Sequence, residues 1–111
     1  MKVSREYILQ AVKQTLHLVA PNAKIILFGS RARNDAQEDS DWDLLILIEK
    51  DKILNDDFDK IAYPLIELGW ELGEYIHPIL YTFKDWKKRC FTPFYKNIEK
   101  ELFSHDKRNL R

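Results

Sequence analysis

Two aspartates, Asp41 and Asp43, stand one residue apart where a polar stretch gives way to the apolar run "LLILI". Side chains alternate along a strand, so both carboxylates face one way and Trp42 between them faces the other. Carboxylates that close repel each other, and charge at the edge of a buried strand is costly, unless a cation sits between them. Oxygen donors on a rigid strand suit a hard divalent ion such as Mg²⁺ or Mn²⁺, ions that also bind phosphate oxygens. Gly29-Ser30, separated from Asp41 by ten residues, supplies a complementary half. Glycine lets backbone approach a ligand closely. A helix starting there aims free N–H groups outward and favours anions. Ser30 adds a hydroxyl, and Arg31 and Arg33 can reach phosphate oxygens with forked donors. One end of the segment is suited to phosphates and the other to a metal that bridges them, as in a nucleoside triphosphate.

Each piece also has a plainer reading. A Gly-Ser turn is commonly only a turn, and an acid-x-acid pair at a strand end is commonly a solvated cap. Arg31 and Arg33 can pair with Asp35, Glu38 or Asp39. Trp42, Trp70 and Trp86 read as core or interface packing, and "KDWKKR" as a solvated face with one buried Trp. Cys90 beside Phe91 reads as small apolar filler.

The elements that would position these residues follow from periodicity. Residues 4–19 predict a helix, with Ile8, Ala11, Val12, Thr15, Leu16 and Val19 at helical spacing and Ser4 as N-cap. "KIILF" (24–28) predicts a short buried strand, 31–36 a short helix, and "QEDS" a loop. "DWDLLILI" (41–48) predicts a strand buried on both faces. A helix over 56–70 has Phe58, Ile61, Ala62, Leu65 and Leu68-Gly69 on its inner stripe, with a kink or interruption expected at Pro64. "YIHPILYT" predicts an edge strand, because Pro78 cannot donate to a ladder. Thr82 with Asp85 marks the cap of a helix through "FKDWKKR". Thr92-Pro93 starts another, with Phe94, Ile98 and Leu102 on one face. "SHDKRNLR" reads as a fraying polar tail. Helices alternating with strands give an α/β (α+β) fold, a mixed sheet of at least three strands with flanking helices, in one domain over residues 1–111.

Composition excludes several classes. The 18 Lys+Arg balance the 18 Asp+Glu, so net charge exerts no pull toward nucleic acid or anionic membrane. A lone cysteine rules out an internal disulfide and a multi-cysteine zinc site. The polar start "MKVSREYILQ" does not read as a signal peptide, and no apolar run approaches the ~20 residues that span a bilayer. A cytoplasmic location is expected.

The string "GSRARNDAQEDSDWDLLI", a Gly-Ser turn and an Asp-x-Asp pair with an apolar strand on each side, resembles the signature of the DNA polymerase beta nucleotidyltransferase superfamily. It looks like the minimal nucleotidyltransferase branch, often the antitoxin partner of a HEPN-domain protein. The motif covers residues 25–48, and the element order extends the resemblance loosely over the chain. It implies that Gly29 and Ser30 hold the β,γ-phosphates of a nucleoside triphosphate, expected to be ATP, and that Asp41 and Asp43 ligate two Mg²⁺ or Mn²⁺ ions. It further implies transfer of AMP to a hydroxyl of a partner protein, with a tyrosine of a HEPN-domain partner as the expected acceptor. The alternative is a catalytically weak or inactive module that binds nucleotide or partner and neutralises the partner by occlusion. Homo-oligomerisation stays open.

The pattern departs from the superfamily at two places. A third carboxylate is usual on the next core strand, but here that strand is "EYIHPILYT", with His77 where the acid would stand. Imidazole is a poor Mg²⁺ ligand but can ligate Mn²⁺ or act as a base, or it can be a plain polar residue on an edge strand. Glu74, three residues earlier, would face the other side, and no family role passes to either residue. Asn34 stands where related sequences often carry Gly, and Asn tolerates left-handed backbone.

Overall fold

The computed structural model describes residues 3–33 and 40–104, residue 33 and residues 101–104 by backbone alone. The order is α1 (Arg5–Val19), β1 (Lys24–Phe28), α2 (Ser30–Arg33), β2 (Trp42–Ile48), α3 (Asn55–Asp57), a π-helical turn (Phe58–Ala62), α4 (Tyr63–Leu72), β3 (Ile76–Thr82), α5 (Phe83–Lys88) and α6 (Pro93–Ser104). The expected end of the short helix (34–36) and the first three residues of "QEDS" (37–39), with Asn34 among them, and the polar tail after Ser104 lie outside the described residues.

Helix starts follow local chemistry. Ser4 Oγ accepts the Tyr7 N–H at 3.1 Å, Thr82 Oγ1 the Asp85 N–H at 2.9 Å, and Thr92 Oγ1 the Tyr95 N–H at 3.2 Å. Each hydroxyl satisfies a first-turn amide that has no helical partner. Asp57 works in the reverse direction. Its Oδ2 accepts the Leu54 N–H at 2.7 Å, and both its oxygens take Lys50 Nζ at 2.9 Å. These partners hold the Asp57 carboxyl below the usual carboxylate range, the Leu54 amide first and Lys50 next.

The interruption expected at Pro64 takes the form of the π-helical turn just before it. Pro64 offers no N–H to the carbonyl four residues back, and the Tyr63 N–H reaches past it to Phe58 O. The wider turn breaks the 3.6 spacing, so Phe58 leaves the inner stripe and is 44% exposed, while Ile61, Ala62 and Leu65 are buried. The helix then ends at Gly73 with φ +73°. Glu74 N–H returns to Gly69 O at 2.8 Å and Gly73 N–H to Trp70 O at 3.3 Å, a Schellman ending.

Among the described residues the sheet has three strands in the order β1-β2-β3. β2 pairs antiparallel with β1 and parallel with β3, so the sheet is mixed and β3 is an edge. Alternation gives β2 two buried faces. Trp42, Leu44, Ile46 and Ile48 pack with Ile8, Val12 and Leu16 of α1 and Leu65 of α4. Leu45 and Leu47 pack with Trp86 of α5 and Ile98 of α6. Helical cover on both sides accounts for the unbroken apolar run. Trp86 anchors the second face through ring contacts with Tyr81, Phe94 and Tyr95 at 4.8–5.6 Å between centroids.

Two side chains differ from expectation. Cys90 is exposed rather than apolar filler, and it lies in the turn between α5 and α6. Trp70 is 58% exposed and packs edge-on against Tyr63 on the outer side of α4, so of the core or interface packing expected for it the core is excluded. Among the described residues no helix is long and apolar enough to cross a membrane.

Candidate metal-binding site

β1 and β2 run antiparallel with Phe28 opposite Asp43, so the turn that follows β1 sits beside the start of β2. β3 runs parallel to β2 with His77 opposite Asp43. Sheet pairing alone therefore brings Gly29, Asp43 and His77 to one end of the sheet. Asp41, just before β2, completes the group. Donor atoms of Asp41, Asp43 and His77 all lie within 4.8 Å of one another. His77 Nδ1 is 3.2 Å from Asp43 Oδ1. The Asp43 side chain is 26% exposed and that of His77 61%, so the cluster opens to solvent.

Gly29 is needed here for two separate reasons. Its φ of +77° lies in the left-handed region. A Cβ built on it would also collide with Asp43 Oδ2, and would stand 3.3 Å from Asp43 Cγ. The carboxylate of Asp43 thus rests against bare backbone. Ser30 opens α2 and is half-buried. The Arg33 side chain lies outside the described residues.

Arg31 points elsewhere. Its Nε and Nη2 donate to the Ser40 carbonyl at 3.2 and 3.0 Å, Nη2 is 3.4 Å from Glu74 Oε1, and the guanidinium lies 4.6 Å over the Trp42 ring. Trp42 is buried, and its indole N–H donates to Glu74 Oε1 at 2.8 Å. Its backbone N–H donates to Tyr75 O at 2.8 Å. The residues before and after Asp41 are therefore both held, Ser40 by Arg31 and Trp42 by Glu74 and Tyr75. Asp41 is exposed, yet its backbone is fixed from both sides.

Glu74 is the residue that sequence reasoning did not assign. It is 8% exposed, and its carboxylate lies on the Trp42 side of β2, away from His77, as alternation requires. The one hint in the sequence is an acid between a helix-ending glycine and an apolar strand, where a lone charge would need a cation. The plainer pairing of Arg31 with Asp35, Glu38 or Asp39 involves residues outside the described set.

The donor set fits a divalent cation. It offers two carboxylates and an imidazole, partly exposed, with close backbone on one side and an open approach on the other. A separate concavity of about 550 Å³, lined by Lys13, His17, Leu18, Pro21 and Ile25, lies at the opposite end of β1 and has none of this chemistry. A family model described as nucleotidyltransferase domain matches residues 5–104 of the chain. No curated protein and no solved structure matches it.

Proposed function

The chain belongs to the nucleotidyltransferase domain family, and on that premise we propose that it transfers AMP from ATP to a hydroxyl group of a partner protein. The observation that carries the reading is the convergence of Asp41 and Asp43 with the Gly29 turn at one sheet end. A domain of this kind moves a nucleoside monophosphate. The acceptor oxygen bonds to the α-phosphorus as its proton passes to solvent, the bond from that phosphorus to the bridging oxygen breaks, and pyrophosphate leaves. Asp41 and Asp43 hold the divalent ion, Mg²⁺ or Mn²⁺. When bound, such an ion neutralises charge on the α-phosphate and on the leaving group.

The chain's own residues position the reactants. Gly29 lets the triphosphate approach the backbone, and Ser30 donates a hydroxyl to it. Arg33, which the motif places near the phosphates, is assigned as a further phosphate donor. Arg31 is engaged with Ser40 and Glu74, so in the free protein it holds Ser40 in place before Asp41. The open flank at His77 admits an acceptor as large as a protein side chain. An acceptor tyrosine on a HEPN-domain partner, in a toxin–antitoxin pair in the cytoplasm, is the assignment that the resemblance of the motif supports.

One observation favours a second reading. The position opposite Asp43 carries an imidazole and no third acid, which suits a module that binds nucleotide and partner and acts by occlusion. The two are separated by incubating the protein and its partner with α-labelled ATP and Mg²⁺ or Mn²⁺, then weighing the intact partner. A gain of one AMP that disappears in Asp43→Asn supports transfer. A silenced but unmodified partner supports occlusion.

A further inference from the structure

Resting on Asp41 and Asp43 as metal ligands, we infer that His77 is a third protein ligand and makes the site selective for a borderline transition ion (Mn²⁺, Co²⁺ or Zn²⁺) over Mg²⁺. His77 is the direct register partner of Asp43, so its imidazole rises from the sheet beside that carboxylate. Nδ1 and Oδ1 are 3.2 Å apart. Two donors each ~2.1 Å from one ion and at right angles to each other would be ~3 Å apart, so this spacing already matches an edge of a coordination shell. The Asp41 donor lies within 4.8 Å of both, a gap that a side-chain torsion closes.

The backbone around His77 is firm. Ile76 and Pro78 on either side are buried, and the proline ring fixes its own φ. Moreover, an exposed His–Asp pair contributes little to stability, ~0–1 kcal/mol, so the pairing is weakly explained by folding alone.

Selectivity follows from the donor types. Mg²⁺ demands oxygen ligands in near-ideal octahedral geometry and gives up water reluctantly. Imidazole favours Zn²⁺ and the later first-row ions, with Mn²⁺ accepting both donor kinds. A third carboxylate at position 77 would leave the choice to Mg²⁺. The imidazole moves it toward the borderline ions.

The test uses the intact protein with Co²⁺ as the probe, read by its visible absorption and by equilibrium titration, with Mg²⁺ as competitor. The parent should bind Co²⁺ with a shifted absorption band and keep it against about a hundredfold excess of Mg²⁺. His77→Ala should weaken Co²⁺ binding about tenfold or more, while His17→Ala, remote from the cluster, should leave it unchanged. His77→Asp should let Mg²⁺ compete. The inference is overturned if Mg²⁺ displaces Co²⁺ from the parent at comparable concentration, or if His77→Ala binds Co²⁺ as the parent does. ATP binding separates this from the functional reading. If Mg²⁺–ATP binds through Asp41 and Asp43 while His77→Ala binds Co²⁺ as the parent does, the inference fails and transfer survives. If Co²⁺ depends on all three side chains and no triphosphate binds, the inference stands and transfer fails.

Discussion

Gly29 and Gly73 form a matched pair that separates backbone strain from ligand placement. Both lie at positive φ, +77° and +73°. Alanine in that region costs ~1–2 kcal/mol at either position. Their surroundings differ. A Cβ at Gly73 meets nothing within 4 Å, whereas one at Gly29 lands on the Asp43 carboxylate. Rotating that carboxylate off its rotamer adds ~0.5–1.5 kcal/mol. Gly73→Ala should therefore cost ~1–2 kcal/mol and Gly29→Ala ~1.5–3.5 kcal/mol, with each kcal/mol worth roughly 4 °C of Tm in a chain of this size. Urea unfolding followed by circular dichroism reads the stabilities, and metal titration reads the site. Gly29→Ala should lose ion affinity, and Gly73→Ala should keep it. A double-mutant cycle of Gly29→Ala with Asp43→Ala should recover the ~0.5–1.5 kcal/mol collision as a coupling energy. A coupling near zero, or equal ion affinity in the two glycine variants, would refute the claim that bare backbone at Gly29 seats Asp43.

Two further outcomes are expected. Glu74→Ala removes the acceptor of the buried Trp42 indole and a partner of Arg31. It should destabilise by ~2–3 kcal/mol in urea, and Glu74→Gln, which keeps an oxygen for the indole, by ~1 kcal/mol. Asp57→Ala loses the Leu54 and Lys50 bonds and should cost ~1–3 kcal/mol at pH 7. Because the folded-state pKa of Asp57 lies below its unfolded value, the stabilisation is complete above about pH 4 and is lost as pH falls through the lowered folded value. Paired unfolding curves at neutral and acid pH should therefore converge; a gap of constant size would contradict the assignment.

What was legible in the sequence was local. The hydroxyl caps at Ser4, Thr82 and Thr92 depend on residues three positions away, and all three form. The strand "LLILI" reads as doubly buried because nothing polar interrupts it, and helices cover both faces. Alternation alone put Asp41 and Asp43 on one face and Trp42 on the other. Non-local features were harder to see. Arg31 finds Glu74 at a separation of 43 residues, which no window of sequence contains. That His77 stands opposite Asp43 is a matter of register, reached through the motif's resemblance and not through periodicity. Helical spacing also put Phe58 on the inner stripe, because it assumes 3.6 residues per turn throughout, and the π-helical turn before Pro64 violates that assumption.

Pro78 has a consequence beyond its own strand. The bond from Trp42 N–H to Tyr75 O sets the phase of the β2–β3 ladder, and by parallel alternation residues 77, 79 and 81 turn their amides inward. The backbone nitrogen of Pro78 faces away from β2, toward the open rim, so its missing N–H takes nothing from the sheet. A peptide seeking to lie along that rim as a fourth strand would find no donor at Pro78, one residue before the midpoint of β3 (Ile76–Thr82). Strand addition is thereby discouraged on the edge that carries His77. A macromolecule approaching this flank must engage it through side chains or a helix, with its backbone bonds already satisfied elsewhere.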